Sequence, residues 1–310
     1  AVVKMKPLTV KTIARCNQLL STQTTNPLVS VIRLSETTDR PDLFQFGFYT
    51  VWLKAWCGCC PSTLGWRACD FSDGILFALQ PGRPMARELW QCDAGKAEGR
   101  LLCFHASVLD PLRAKGDGHY TFFNYNTDEC LHLSRRERLL LEREIDEIEE
   151  ELNWGIDEYS YTILAERIKL LLDYITRFYH RQFILRHDAN LRLVEWTDRY
   201  VDDFFRSGRA RCHPLPTTAT LASQLGCSPD YLNDMLCHET GKCTADYIRL
   251  KQIARAEQLL KQDTRSVTDI ARELGFPTGQ AFCTLFKKLK GQTPEDFRLC
   301  PGSGPLNLNN

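Results

Sequence analysis

The sequence predicts an α+β protein with three parts, and three observations lead to that prediction. Residues 1–130 contain short runs of strand-forming residues broken by Gly, Pro and Asp. Residues 131–188 contain two long amphipathic helical patterns, and residues 189–300 are helical with an internal repeat. We therefore expect a β-sandwich or small β-barrel, then a helical pair, then an all-α domain.

The bulk composition narrows the class of protein. The chain has 310 residues, which is too long for one ordinary core, and its 43% hydrophobic content is typical of soluble globular proteins. No apolar run approaches the roughly 20 residues of a membrane span, and no secretory signal is visible. We therefore expect a cytoplasmic protein without a membrane partner. Because 39 basic residues balance 39 acidic ones, binding to nucleic acid would need a local basic patch.

The strand-like runs of the first part have a recognisable pattern. The run from Phe44 to Ala55 has large apolar residues on both alternating faces, which predicts one strand buried on both sides. Asp73-Gly74 predicts a turn before a second strand, and residues 99–105 predict another. Short strands at this spacing are typical of a sandwich or small barrel.

The middle part is predicted to be a pair of helices. Ser134 is a suitable N-cap for the first helix, and Gly155 ends it. The second helix spans residues 158–183 and has an apolar face wider than one packing partner needs. This surplus predicts either a homodimer interface or two faces that both pack on the strand domain. After this pair, residues 206–216 predict a linker that permits rearrangement.

The last part contains a repeated helix-turn-helix pattern. Leu221-Ala222-x-x-Leu225-Gly226 recurs as Ile270-Ala271-x-x-Leu274-Gly275, with a second turn one residue longer. A small residue lets two helices cross closely, and a glycine four positions later makes the turn. Two such units joined by one helix from Thr244 to Lys261 indicate binding to double-stranded DNA.

A further motif near the C-terminus extends this pattern. It consists of Gly275, Phe276, Phe282, Phe286, Lys287, Lys288, Gly291, Thr293, Pro294, Phe297 and Arg298. Over residues 214–298 the sequence resembles the AraC family of bacterial transcription regulators. The resemblance implies two recognition helices in successive major-groove segments about 34 Å apart, and leaves room for contact with the transcription machinery.

The resemblance also assigns DNA-contacting residues. Base reading is expected from Asp230, Asn233, Asp234, Gln280, Cys283 and Thr284. Phosphate contacts are expected from Arg249, Thr278, Lys287, Lys288 and Lys290. Family members usually have basic or amide residues where Asp230 and Asp234 stand, which predicts modest affinity and a need for two copies of the domain. Alternatively, these two carboxylates form a solvated face that never reaches bases.

In this family, the domain ahead of the DNA reader typically senses a small-molecule effector in a cupin-like barrel. The order of strands and helices resembles that arrangement. Candidate pocket residues are Phe46, Phe48, Trp52, Trp66 and His105, although the aromatic ones are also the obvious core of a small barrel. No His-x-His metal motif of cupins is present, so we expect no cofactor.

A cysteine cluster offers an alternative function. Cys57, Cys59, Cys60 and Cys69 predict either a soft-metal or thiol-redox sensor, or simply reduced thiols at a hairpin. Their spacing does not match that of zinc knuckles. No phosphate-binding loop, hydrolase elbow, zinc-protease or dinucleotide motif is present, so no enzyme is predicted.

Overall fold

The computed structural model describes residues 7–34, 43–55, 69–86, 99–113, 119–262 and 265–299. The chain divides into two compact units, Ala1–His187 and Asp188–Asn310. The described part of the first unit combines strands with helices, and that of the second is helical. The predicted α+β class is confirmed. No described helix has the length and hydropathy needed to cross a membrane.

The described strands all lie in the first unit and form two sheets. They are β1 Leu8–Val10, β2 Val29–Arg33, β3 Leu43–Phe46, β4 Tyr49–Ala55, β5 Gly74–Leu79, β6 Pro84–Ala86, β7 Arg100–Phe104 and β8 Leu131–Leu133. One sheet has the order β2-β7-β4-β5-β8, and the other has the order β1-β3-β6. The described strands thus form two sheets, as the sandwich alternative of the expected sandwich or small barrel requires, and these strands do not close into a barrel.

The core of the first unit contains residues from both sheets. Trp52 lies on β4, opposite Phe77 of β5 on one side and Leu101 of β7 on the other. It clusters with Phe44 and Phe46 of the smaller sheet, and all five side chains are buried. This shared apolar cluster holds the sheets together, because burying it removes a large apolar area from water.

The prediction of one strand from Phe44 to Ala55 is wrong. The chain breaks at Gly47, so that β3 and β4 belong to different sheets. The Gly47 amide donates to the carbonyl of Val10 at 2.8 Å, and a Cβ at Gly47 would lie 3.0 Å from the Lys11 carbonyl oxygen. Close backbone approach therefore requires glycine here. The expectation of two buried faces is confirmed for Val51, Trp52 and Leu53 of β4.

Helices complete both units. They are α1 Ile13–Leu19, α2 Asp110–Arg113, α3 Arg135–Trp154, α4 Ser160–Leu185, α5 His187–Arg206, α6 Thr218–Leu225, α7 Pro229–Thr240, α8 Thr244–Gln262, α9 Val267–Glu273, α10 Gly279–Lys290 and α11 Pro294–Leu299. Short 3-10 turns include Ala106–Leu109 and Arg209–Arg211.

The predicted helical pair is confirmed as α3 and α4. Ser134 caps α3 through a capping box, in which its own amide donates to the Glu137 carboxylate at 2.9 Å. Gly155 follows α3 with a φ of 99°, which ends the helix. The two helices pack against each other, and the pair also packs against the larger sheet. Their main apolar stripes are therefore buried within the first unit.

The segment expected to be a flexible linker, residues 206–216, belongs to the second unit. Its Ala210 is 4% exposed, and the 3-10 turn around it packs against α9. The expectation of a linker at this position is corrected accordingly.

Candidate nucleic-acid interface

The first helix-turn-helix is formed by α6 and α7. Ala222 is fully buried where the two helices meet, together with Leu221 and Leu232. Gly226 takes a φ of 70° after α6, and the Ser228 hydroxyl caps α7 by accepting from the Tyr231 amide at 3.3 Å. The small residue and the turn glycine thus have the roles that the sequence predicted.

The second helix-turn-helix is formed by α9 and α10. Ala271 is 1% exposed, and Gly275 has a φ of 81°. Between the turn glycine and the next helix, this helix-turn-helix has one residue more than the first helix-turn-helix, as predicted. A Cβ at Gly275 would lie 2.8 Å from the carbonyl oxygen of Ala210. Glycine is therefore needed for both conformation and space.

The joining helix α8 holds the second helix-turn-helix through a buried amide. Gln252 is 2% exposed, and its Nε2 donates to the Leu274 carbonyl at 2.7 Å, at the end of α9. The sequence prediction missed this contact. An amide in the apolar i, i+4 row of Ile248, Gln252 and Ala256 was the available signal. The bond satisfies one of the carbonyls that a helix end leaves open.

Helix α5 is attached to the start of α8 by a small polar cluster. The Asp198 carboxylate accepts from the Tyr247 hydroxyl and forms an ion pair with Lys251. Partial burial alone would raise the pKa of Asp198, but the hydrogen bonds from Lys251 and Tyr247 outweigh it and lower that pKa. Burial and the same carboxylate raise the pKa of Tyr247, so its hydroxyl remains a donor.

The C-terminal motif forms the aromatic core of the second helix-turn-helix and the junction between α10 and α11. Phe286 is fully buried, with its ring centroid 5.6 Å from that of Phe282 and 5.4 Å from that of Phe297. Gly291 ends α10 with a φ of 76°, and Thr293 accepts from the Asp296 amide at 3.2 Å to start α11. Phe286 of this motif therefore belongs to the aromatic core of the second helix-turn-helix.

On α10, the residues expected to read bases lie on or near its exposed face. Gln280 and Thr284 are exposed, and the Thr284 hydroxyl donates to the Gln280 carbonyl at 2.9 Å. Cys283 is half-buried. Burial, and then the charge of Glu295, raise the pKa of the Cys283 thiol. Cys283 would therefore meet DNA as a neutral thiol.

On α7, one of the three expected readers faces another helix. Asn233 Oδ1 accepts from the Thr244 amide at 3.1 Å and from the Thr244 hydroxyl at 3.2 Å, so Asn233 caps the start of α8. The oxygen of Asn233 is therefore engaged within the domain, and its expected role at bases remains a prediction. Asp230 and Asp234 are half-buried, and their role at bases remains a prediction.

The residues expected at phosphates differ in their surroundings. Lys287 and Lys288 are exposed and form no ion pair with any described residue. Lys290 pairs with Glu257 of α8, and Arg249 lies 3.4 Å from Asp246. Thr278 uses its hydroxyl to cap α10, accepting from the Ala281 amide at 3.1 Å. The lysine pair therefore has the freest charge of the predicted set.

The two helix-turn-helix units carry opposite charge. Residues 217–243 contain Lys242 against three carboxylates, those of Asp230, Asp234 and Glu239. Residues 266–291 contain four basic residues, Arg272, Lys287, Lys288 and Lys290, against Asp269 and Glu273. The second helix-turn-helix is therefore more strongly attracted to phosphate than the first.

The residues expected to line an effector pocket have different surroundings. Phe46, Phe48 and Trp52 are at most 2% exposed and pack as core, with 5.3 Å between the ring centroids of the two phenylalanines. His105 is exposed, and its Nδ1 accepts from the Ser107 amide at 3.2 Å to cap a 3-10 turn. Trp66 lies outside the described residues. Core packing, the alternative interpretation of the aromatic residues, describes Phe46, Phe48 and Trp52 in this structure, and the pocket assignment stays a prediction.

Most of the cysteine cluster cannot be placed. Cys57, Cys59 and Cys60 lie outside the described residues, and Cys69 is an exposed free thiol. Within the described ranges, no group of three or more His, Cys, Asp or Glu side chains is arranged to hold a metal. The metal and redox alternative therefore stays a hypothesis.

Similarity to known proteins is concentrated in the second unit. A family profile described as "Helix-turn-helix domain" matches residues 221–299. The regulatory protein SoxS of Salmonella typhimurium is 30% identical over 106 residues, which cover 34% of this chain and 89% of SoxS. The xylose operon regulatory protein of Haemophilus influenzae is 33% identical over 28% of this chain and 22% of its own length.

A solved transcriptional regulator with an AraC-type DNA-binding domain, from Chromobacterium violaceum, is 26% identical over 28% of this chain and 81% of its own, with a TM-score of 0.27. The SoxS match spans nearly the whole of that regulator, and the matched profile covers both helix-turn-helix units described above. The chain belongs to the AraC family of DNA-binding transcription regulators.

Proposed function

We propose that the chain is a sequence-specific regulator that binds its operator as a homodimer and responds to a small-molecule effector through its first unit. The observation that carries the DNA-reading part is the exposed face of α10. Gln280, Thr284, Lys287 and Lys288 lie there at helical spacing, while Phe282 and Phe286 are buried on the opposite face.

The order of residues along this face fits a duplex. Gln280 and Thr284 are near the start of α10, where a recognition helix meets base edges, and an amide can bond both groups of adenine. Lys287 and Lys288 follow one turn later, where they can neutralise phosphates. Positioning by charge and reading by hydrogen bonds are thus divided along one helix.

The acidic character of α7 supports the need for two chains. Asp230 and Asp234 repel phosphate, although a carboxylate can accept from the amino group of cytosine. A single chain would therefore depend mainly on its second reader. Joining two chains makes the second binding event intramolecular, which raises the overall affinity without new contacts.

An exposed apolar surface is available for this pairing at the α3–α4 turn. We call it the hairpin-tip patch, formed by Trp154, Ile156 and Tyr159, whose exposed fractions are 85%, 56% and 62%. Clustered exposed apolar side chains on a soluble protein usually mark an interaction site. A second copy of the chain is the occupant that we propose, because DNA binding by one acidic and one basic reader calls for it.

Effector control follows from linkage. A ligand of the first unit changes DNA occupancy only when it binds one functional state of the chain more tightly than another. The free energy of coupling is then the same in both directions, so operator DNA would also change the affinity for the ligand.

The lysine pair provides the test of DNA binding. An operator is first selected from random duplexes with the full chain, and its affinity is then measured by fluorescence anisotropy over a series of salt concentrations. Lys287→Ala with Lys288→Ala should weaken all duplexes alike and reduce the slope of log affinity against log salt by about 1.8, because each lost phosphate contact contributes about 0.9.

Lys169→Ala is the control, since Lys169 is a lysine of α4 in the first unit that pairs with Asp173 and has no proposed contact with DNA. It should leave the salt slope nearly unchanged. If the chain selects no sequence, or if the double variant keeps the full slope, the proposed reading face is wrong.

A further inference from the structure

A groove lies in the first unit between the start of α3 and the second half of α4. Its volume is about 450 Å³. We call it the arginine groove. Its main lining residues are Phe71, Arg136, Leu140, Arg177, Phe178 and Arg181. All of its described lining residues belong to the first unit.

One wall of the arginine groove is apolar. Phe178 is 7% exposed and forms part of this wall together with Leu140, while Leu185 is 37% exposed at the end of α4. Phe71 is 37% exposed, and the Arg181 guanidinium carbon lies 4.8 Å from the centroid of its ring. A flat apolar group in the groove would therefore find aromatic and aliphatic partners.

The other wall is basic, and its arginines are in two different states. Arg181 is fixed in place: it forms an ion pair with Glu137 at 2.8 Å and donates to the His132 carbonyl at 2.7 Å. Arg136 and Arg177 are exposed and form no hydrogen bond or ion pair with any described residue. They are therefore available to a ligand, and the guanidinium fork suits a carboxylate.

The positive charge extends beyond the groove. A neighbouring hollow of about 560 Å³ shares Arg136 and Leu140 with it and adds Arg135 and Arg143. Among the described residues, five arginines line the two hollows, and Glu137 is the one carboxylate. Glu137 is already paired with Arg181, so four of these arginines are not neutralised by a lining carboxylate.

We propose that the arginine groove binds a small organic anion in which a carboxylate is attached to an aromatic body, and that this anion is the effector. A volume of about 450 Å³ lies within the ordinary range for small-molecule sites. The carboxylate would bond Arg136 and Arg177, while the ring would pack on Phe178 and Leu140. As the site of an effector, this assignment rests on the proposed function of the chain as a regulator.

A small molecule fits better than a second copy of the chain. The groove is bordered by α3, α4 and the segment that carries Phe71, and a concave surface of this kind is typical of a ligand site. The hairpin-tip patch proposed for pairing lies at the other end of α3, about 27 Å along the helix from Arg136 at 1.5 Å per residue. Dimerisation and ligand binding would thus use separate surfaces.

The test uses the full chain and 1-naphthoate as the probe, measured by saturation-transfer difference NMR at about 150 mM salt. We expect saturable binding of 1-naphthoate and at least tenfold weaker binding of the neutral 1-naphthalenemethanol, because the alcohol lacks the charge-assisted hydrogen bonds from the arginines. Arg136→Met with Arg177→Met should weaken naphthoate by a similar factor.

Arg192→Met is the matched control, because Arg192 is an exposed arginine on α5, outside the groove. It should bind naphthoate as the unaltered chain does. Three results would overturn the proposal: no saturable binding, equal binding of the neutral alcohol, or equal binding by the double variant. A fourth result would also overturn it. If a deca-glutamate peptide displaces naphthoate while the peptide is less concentrated than the naphthoate, the groove binds an acidic protein partner instead.

The outcome can be separated from that of the DNA experiment, since naphthoate binding is measured without DNA. Loss of operator selection with intact naphthoate binding would contradict the regulator function. Intact operator selection without naphthoate binding would contradict the arginine groove alone.

Discussion

Asn233 and Gln280 are both amides on recognition helices, but their surroundings differ. The Asn233 oxygen accepts two hydrogen bonds from Thr244, at the start of α8. Gln280 is exposed on α10. Since a buried donor left without its acceptor costs free energy, Asn233 stabilises the second unit, whereas Gln280 is available to a base.

Replacing each amide should therefore have a different effect. Asn233→Ala should lower the free energy of unfolding by about 1 kcal/mol, because the first amide of α8 loses its cap, and should leave base preference unchanged. Gln280→Ala should leave stability unchanged and relax preference at one base pair by about 1 to 3 kcal/mol. Chemical denaturation and competition with single-base variants of the selected operator measure the two effects. A change of base preference in Asn233→Ala would contradict this division.

At this scale, the sequence predicted identity and helical phase but not the partner of each side chain. Lys287 and Lys288, which are expected to contact phosphates, are exposed, while Phe282 and Phe286 on the same helix are buried. The bond from Asn233 to Thr244 joins two helices, so no periodicity within one helix reveals it. The same holds for the pairing of Lys290 with Glu257.

The helix-turn-helix elements depend on two glycines in the left-handed region. Gly226 and Gly275 have φ values of 70° and 81°. A Cβ would meet nothing within 4 Å at Gly226 but would lie 2.8 Å from the Ala210 carbonyl oxygen at Gly275. Strain from the backbone is common to both positions, and steric overlap belongs to one.

The two alanine variants should separate these costs. Gly226→Ala should destabilise the second unit by about 1 to 2 kcal/mol through backbone strain. Gly275→Ala should cost about 1 to 3 kcal/mol more, because Ala210 must move. Chemical denaturation of the full chain, followed by helix content, measures both losses. Equal losses would mean that the chain segment around Ala210 yields freely.

Elements were well predicted where the signal is local. The Ser134 cap, the Gly155 end and both helix-turn-helix repeats depend on residues a few positions apart, and each is present. The strand from Phe44 to Ala55 was mispredicted because Gly47 preserves the alternation of apolar residues while the chain passes to another sheet. The approach to Lys11 that imposes this break is not visible in the local sequence.

At the scale of the whole molecule, the first unit presents two separate surfaces, the arginine groove and the hairpin-tip patch. The sequence predicted surplus apolar area on α4 as a whole, but its main stripe is buried against α3 and the larger sheet. Exposed apolar residues remain at the turn, where Trp154 is 85% exposed, and also further along α4, where Leu170 is 42% and Ile184 62% exposed. Which part of an amphipathic face stays open is decided by the fold, so periodicity alone could not locate the patch.

A charge placed in the hairpin-tip patch should separate the chains. Trp154→Asp removes a large apolar contact and adds a charge that is costly to bury, so it should weaken self-association at least tenfold. Ile184→Asp is the control, because Ile184 is 62% exposed near the other end of the helical pair. Sedimentation equilibrium distinguishes the variants. If the dimer tolerates Trp154→Asp but not Ile184→Asp, the interface lies at the Ile184 end of the helical pair and the proposed patch is wrong.

The opposite charge of the two helix-turn-helix units gives the chain a direction along the duplex. If the operator were reversed, the half that the basic helix-turn-helix binds tightly would face the acidic one, and the half that is bound weakly would face the basic one. Base changes in the promoter would therefore be tolerated unequally on the two sides, and a footprint would fade first, as salt rises, over the half that α7 covers.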